Sequence, residues 1–202
     1  RCMEGLLRLH FHARGAVSNL FLEPQPALAL HGDVEMHLHV RAVGLNFRDV
    51  LNVLGEYPGD PGPPGGDAAG VVGDTQGPLD SAFGLGHAPL ASVAIASTLL
   101  LAHKPSTLSF EQASTLPVTW STTHAAVERG GLRAGSRMIV QAAAGGVGLK
   151  AVEYAQCLHA STVGTAGRPH KHAQSRAMGV DALCSSRGGA ALTMGVTRQM
   201  AA

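Results

Sequence analysis

The chain has 202 residues, 45% hydrophobic and 14% charged, which is enough apolar content for one large core or two small ones. Fifteen basic residues stand against 14 acidic ones, so the charge balance gives no sign of a nucleic-acid surface. No apolar run reaches the roughly 18 residues that span a bilayer, and the most apolar stretch, 85–102, is broken by Gly86, His87 and Pro89 and reads as strand.

Residues 6–13 alternate apolar and polar, the period of a half-buried strand. The pattern returns at 34–43, where Val34, Met36, Leu38 and Val40 face one way and Glu35, His37, His39 and Arg41 the other. A short helix is predicted over 46–54, stopped by the Pro- and Gly-rich run 55–66. A small-residue strand follows at 68–72, one or two strands at 90–102, and a short helix at 109–116 with Ser109 as N-cap. This first part reads as a β-rich domain, 1–118. After Pro117 the texture changes to helix 119–129, strand 137–142, helix 149–158, strand 160–165, helix 171–178 and a short strand at 182–185. That order is the one that builds a parallel sheet with helices on its faces. The fold class is therefore α/β, a β-rich domain followed by an incomplete nucleotide-binding sheet over 119–202, since such sheets normally hold five or six strands.

Cys2, Cys157 and Cys184 are odd in number and widely separated, which argues against a disulfide framework and fits a reducing, cytoplasmic setting. The opening Arg1-Cys2-Met3-Glu4 has neither an initiator Met nor a signal-peptide pattern, so the chain is expected to come from a longer polypeptide.

The turn Ala142-Ala143-Ala144-Gly145-Gly146-Val147-Gly148 joins a buried strand to a helix. Glycine at such a bend permits positive φ and close approach of a pyrophosphate, and the exposed N–H groups of the helix start hold the anion. Ala143 stands where GxGxxG would have its first glycine, so the motif is a variant. Downstream, 163–172 contains Thr165, Arg168 and Lys171 and no acid. A ribose-binding carboxylate is thus missing, and fixed cations favour the 2′-phosphate of NADPH over NAD. A solvated basic loop is the other reading of the same residues.

The run Arg41-Ala42-Val43-Gly44-Leu45-Asn46-Phe47-Arg48-Asp49-Val50-Leu51-Asn52-Val53-Leu54-Gly55-Glu56-Tyr57-Pro58-Gly59-Asp60 resembles the enoyl reductase domains of modular type I polyketide synthases, zinc-free members of the medium-chain dehydrogenase/reductase superfamily. The likeness continues through Gly65-Gly66-Asp67-Ala68-Ala69-Gly70-Val71-Val72, through Leu116-Pro117-Val118-Thr119 and through Ala142 to Gly148. It implies a GroES-like substrate domain followed by a Rossmann domain. It also implies NADPH-dependent reduction of the α,β-double bond of an enoyl thioester carried on an acyl carrier protein, among neighbouring synthase domains of the same polypeptide. The resemblance places Asn46 beside the nicotinamide and matches Tyr57 to the Tyr that influences protonation at the α-carbon. It puts Thr119 and Thr123 near the nicotinamide, Ala144, Gly145, Gly146, Val147 and Gly148 in the cofactor cradle, and Lys171 and Arg187 at the 2′-phosphate. Helix capping by Asn46, loop anchoring by Tyr57 and ordinary helical roles for the two threonines suit the same residues.

Zinc-binding relatives use a Cys, a Gly-His-Glu segment and a further Cys or Asp. The corresponding stretches here carry Asn46-Phe47-Arg48-Asp49 and Gly65-Gly66-Asp67, and three cysteines cannot form a four-Cys lobe, so no metal is expected. The 11 histidines are scattered, with His10/His12 and His37/His39 on strands. Two departures from the family pattern stand out: the 72–83 linker is short, and the chain stops in a helix near Met200, before the family's Lys and Asp proton donors. An exposed apolar sheet edge is then expected. A stand-alone quinone oxidoreductase and a non-catalytic structural segment of a megasynthase are the alternative readings.

Overall fold

A computed structural model describes residues 5–73, 80–187 and 189–201. Cys2 and most of the short linker after Val72 lie outside the described residues. The chain divides into two compact units, Arg1–Val118 and Thr119–Ala202.

The first unit is built on a closed antiparallel barrel of β3 (Glu35–Gly44), β4 (Asp67–Val72), β5 (Asp80–His87) and β6 (Val93–His103). Beside it, β1 (Leu7–Phe11) and β2 (Leu20–Pro24) form an antiparallel pair, with Leu9 opposite Leu22. The barrel core is Leu38, Ala68 and Ala96, with Val72 and Leu101 packed against it. Small residues are needed because the backbones approach closely: a Cβ on Gly70 would lie 2.2 Å from the His39 carbonyl oxygen, and one on Gly84 would lie 2.0 Å from that of Leu100. The alternation at 34–43 becomes β3, but a bulge between Val40 and Ala42 shifts its register, so the two faces do not run unbroken along the strand. The apolar stretch at 90–102 is the single strand β6.

Nothing in the sequence marks β2 as a strand, and of β5 only the end, from Leu85, falls in a stretch that reads as one. β2 is five residues long and ends on Pro24, and β5 is interrupted by Gly84 and Gly86. Pairing rather than propensity makes both of them strands.

Two short helices accompany the barrel. In α1 (Phe47–Leu54), Gly55 closes the helix in the left-handed region at φ 72°. In α2 (Phe110–Ser114), the Ser109 hydroxyl accepts the Gln112 N–H and Gln112 Oε1 accepts the Ser109 N–H. That reciprocal pair is a capping box.

The helix α3 (Pro117–Gly130) starts at the division, two residues earlier than the sequence predicts. Proline at a first helical position forfeits no hydrogen bond. The second unit holds a parallel sheet in the order β7 (Arg137–Val140), β8 (Ser161–Ala166), β9 (Ala182–Ser185). Its helices are α4 (Gly146–Cys157), α5 (Pro169–Ala177) and α6 (Gly189–Ala201). Val140, Ala143, Val152 and Val180 form its core. Among the described residues β7 pairs with β8 alone, and Ile139 on it is 43% exposed. Among the described residues no helix is long and apolar enough to cross a membrane.

Candidate functional site

In the second unit, β7 runs into the glycine turn and α4 opens at its N-cap, Gly145. The turn is fastened from below by β8: the Ala143 N–H donates to the Thr165 carbonyl (2.9 Å), and the Ala142 N–H donates to Thr165 Oγ1 (3.3 Å). Thr165 is buried and braces the turn through both bonds, and it also lines a cavity with Ala142 and Ser186. The Gly145 N–H closes the turn on the Ala142 carbonyl at 2.7 Å.

The sequence suggests that a glycine supplies positive φ at this bend. The structure corrects this, since the left-handed residue is Ala142, at φ 50°, and Gly145 has φ −89°. The glycines serve close approach instead. A Cβ on Gly148 would sit 2.4 Å from the Ala142 oxygen and 2.8 Å from Ala143 Cα, so only glycine lets α4 start directly on the strand end.

Above the turn lies a cavity of about 310 Å³ that gathers Ala144, Gly145, Arg168, Lys171 and Arg187. Arg168 is the N-cap of α5 and Lys171 lies in its first turn, while Arg187 follows β9. Parallel pairing of Ala166 with Ser185 brings these two chain regions to one sheet end. Three cations line the cavity and no carboxylate does. Gly167 leaves room for Arg187, whose Nε would lie 3.4 Å from a Cβ there. Ser186 also lines the cavity; its only signal in the sequence is its place beside Arg187.

The other predicted cofactor residues lie apart from that charge cluster. Thr123, Gly146, Val147 and Gly148 line a more apolar cavity of about 420 Å³, which shares Ala142 and Gly145 with the first. The Thr123 hydroxyl is turned back on its own helix, donating to the Thr119 carbonyl at 2.8 Å, and its residue is buried. The Thr119 methyl packs 3.4 Å from where a Gly146 Cβ would stand.

In the first unit, Asn46 caps α1. Its N–H donates to Asp49 Oδ2 (2.8 Å), and its carbonyl accepts the Asp49 N–H (2.9 Å). Its amide nitrogen donates to Asp67 Oδ2 at 3.0 Å. The register that sets Gly44 opposite Asp67 makes this contact possible. Asp67 Oδ1 also accepts the Val118 N–H (2.9 Å). Burial pushes the Asp67 carboxyl above the usual carboxylate range; the bonds from Asn46 and Val118 oppose that shift and the nearby Asp49 charge adds to it.

Tyr57 sits half-buried in the 55–66 loop, with the Arg48 guanidinium carbon 5.8 Å from its ring centroid. Side chains of α1 tie that loop down. Arg48 donates to the Pro61 carbonyl, Asp49 Oδ1 accepts the Gly65 N–H (2.8 Å), and Asn52, fully buried, donates to the Gly62 carbonyl (3.0 Å). Asp67 and Arg48 thus surround the two predicted catalytic residues, and pattern reading singles out neither. Among the described residues no group of three or more His, Cys, Asp or Glu is placed to hold a metal ion.

No family model matches the chain. It is 44% identical over 185 residues to the spectinabilin polyketide synthase system protein NorB of Streptomyces orinoci, covering 87% of this chain and 8% of that protein. It is 40% identical over 181 residues to erythronolide synthase EryA2 of Saccharopolyspora erythraea, covering 83% of this chain and 5% of the relative. The chain therefore spans less than a tenth of the length of these relatives. Among solved structures, the CurK enoyl reductase superposes with a TM-score of 0.85 at 29% identity, over 97% of this chain and 64% of that one. The quinone oxidoreductase of Thermus thermophilus, solved also in complex with NADPH, superposes with a TM-score of 0.73 at 31% identity, over 91% of this chain and 60% of the other.

Proposed function

We propose that this chain, which is homologous to part of the modular type I polyketide synthases and has the mixed α/β fold of the enoyl reductases in the medium-chain dehydrogenase/reductase superfamily, takes part in NADPH-dependent reduction of an enoyl thioester. In this reading residues 1–118 form a GroES-like substrate-binding domain and residues 119–202 part of a Rossmann domain for the cofactor. The substrate arrives on an acyl carrier protein, and neighbouring synthase domains share the polypeptide.

The observation that carries the reading is the cavity at the glycine turn, with Arg168, Lys171 and Arg187 on its wall and no carboxylate. An NAD site would need an acidic partner for the ribose hydroxyls, whereas a 2′-phosphate dianion needs cations. The residues present therefore fit NADPH. Arg168, Lys171 and Arg187 would hold the 2′-phosphate, and the first N–H groups of α4, beyond its N-cap Gly145, would face the pyrophosphate. When bound, the cofactor supplies a hydride to the β-carbon, and a proton reaches the α-carbon as the double bond is lost. By the family resemblance Asn46 would act on the nicotinamide and Tyr57 at the substrate α-carbon. Both stand on a braced scaffold: α1 is capped at Asn46, and the Tyr57 loop is held at Pro61, Gly62 and Gly65.

The test is cofactor oxidation by the full reading frame that carries these residues, with crotonyl thioester and a quinone as alternative acceptors. Turnover with the thioester and NADPH is expected. Lys171→Ala and Arg187→Ala should each raise the KM for NADPH roughly tenfold and leave that for NADH nearly unchanged, as for loss of one charge-assisted contact. Equal use of NADH and NADPH by the unaltered protein would remove the 2′-phosphate assignment. Turnover with the quinone alone would move the protein to the quinone oxidoreductase reading. No turnover with any acceptor from a folded, NADPH-binding protein would leave a structural segment.

A further inference from the structure

We infer that Arg48 is a positioning residue for Tyr57, fixing the face that the phenol ring presents to the substrate α-carbon. The inference rests on the reading of Tyr57 given above and adds a residue to it. The Arg48 guanidinium carbon stands 5.8 Å from the Tyr57 ring centroid, within the reach at which a cation is held by a ring face. That cation does not float. Its Nη2 donates to the carbonyl of the buried Pro61, and its Nη1 lies 3.9 Å from Asp49 Oδ1. Asp49 is fixed in turn, accepting the Asn46 N–H and the Gly65 N–H at 2.8 Å each.

The loop shows why such a clamp is needed. Gly55, Gly59 and Gly62 all take positive φ, conformations with weak backbone preference of their own. The backbone is fastened just before Tyr57, where the Glu56 N–H donates to the Leu51 carbonyl (2.9 Å), and again at Pro61. Between those two points the Arg48 guanidinium meets the ring. A planar fork can bond a carbonyl with one edge while offering its face to an aromatic, which a lysine ammonium does less well. Arg48 itself touches neither cofactor nor substrate in this scheme; it acts through Tyr57.

The experiment reduces an α-methyl enoyl thioester with the full reading frame and reads the ratio of α-epimers together with kcat and the KM for NADPH. Tyr57→Phe sets the reference by changing the epimer ratio. Arg48→Met is expected to lower kcat roughly two- to thirtyfold, the range of one cation–ring contact. It should also shift the epimer ratio towards that of Tyr57→Phe, with little change in the KM for NADPH. Arg48→Lys should recover part of the ratio, and adding Arg48→Met to Tyr57→Phe should cost nothing more.

An Arg48→Met enzyme that keeps the native ratio while Tyr57→Phe alters it, or losses that add in the double variant, would overturn the inference and leave the Tyr57 reading standing. A Tyr57→Phe enzyme with the native ratio would overturn the Tyr57 reading, and this inference with it. A fluorine label at Tyr57, observed by NMR without turnover, gives a second readout: its resonance should move in Arg48→Met and less in Arg48→Lys. An unmoved resonance in the folded variant refutes the contact. If Arg48→Met does not fold, Arg48→Gln, which keeps a donor for Pro61 but no charge, carries the same comparison.

Discussion

Replacing Gly148 by alanine tests the claim that the glycines of the turn serve contact rather than dihedral freedom. The added Cβ would stand 2.4 Å from the Ala142 oxygen and 2.8 Å from Ala143 Cα, where side-chain carbons essentially never come within 3.0 Å. The start of α4 must therefore retreat by at least 0.6 Å, the difference between 3.0 and 2.4 Å. Both neighbours are backbone, so no side-chain rotation relieves the clash. The displacement falls on Ala143, which is fully buried against Val140, Val152 and Val180, and on Ala142, which is already left-handed. Overpacking of this kind costs about 1–3 kcal/mol, and a clash with backbone belongs at the upper end. Alanine gains up to about 1 kcal/mol of helix propensity in return, less in a first turn. The net loss is then about 2 kcal/mol, a fall in Tm of roughly 8–16 °C for a unit of this size. Thermal unfolding followed by circular dichroism, paired with an NADPH fluorescence titration, reads it. Gly145→Ala is the control, since its Cβ would meet the Ala142 oxygen at 3.2 Å and a shift of tenths of an ångström suffices. It should lower Tm far less. Equal Tm for Gly148→Ala and the unaltered protein would refute the contact argument.

Three further outcomes are expected. Ala142→Gly should raise stability by about 0.5–1 kcal/mol in urea denaturation, because relief of a left-handed alanine exceeds the added freedom of the unfolded chain; a loss would mean that the bend is not strained. Ser175→Ala should stabilise α5 by about 1 kcal/mol, because the Ser175 hydroxyl is buried with no hydrogen-bond partner among the described residues; destabilisation would reveal a partner. Asp67 supplies a pH test. Its carboxyl is raised by burial, so from about pH 4 up through its folded pKa the native state binds more protons than the unfolded one, and stability falls as pH rises. Denaturation midpoints of the unaltered protein measured against Asp67→Asn should therefore decline across that window, and a rising difference would reverse the assigned sign.

What the sequence discloses and what it withholds divide along the range of the interactions involved. The elements β3, β7, β8 and β9 announce themselves because periodicity and apolar runs are local, and Ser109 announces α2 because its partner Gln112 is three residues away. The helices α3, α4 and α5 begin earlier than pattern alone suggests because Pro117, Gly146 and Pro169 read as breakers yet occupy first-turn positions, where no intrahelical N–H bond is lost. The candidate site is legible in the same graded way. Arg168 and Lys171 stand together in sequence, but Arg187 joins them only through the pairing of β8 with β9. Asn46 meets Asp67 only through the register of β3 on β4.

One signal for that second contact was nevertheless present. A lone carboxylate leading the run Asp67-Ala68-Ala69-Gly70 heads a strand too small-sided to shelter it, so it must be buried among donors or left outside. It is buried, and the donors are the amide of Asn46 and the N–H of Val118. A carboxylate that its own strand does not shelter is therefore the one that holds the predicted catalytic asparagine. The same logic applies to Arg48: a cation on α1 next to a Pro- and Gly-rich loop finds its place by holding that loop's carbonyl and its single aromatic ring. Asp67 is placed by partners far along the chain, whereas Arg48 is placed by partners no more than 13 residues away, across a loop whose path the sequence does not give. Their roles become readable only once strand register and loop path are known.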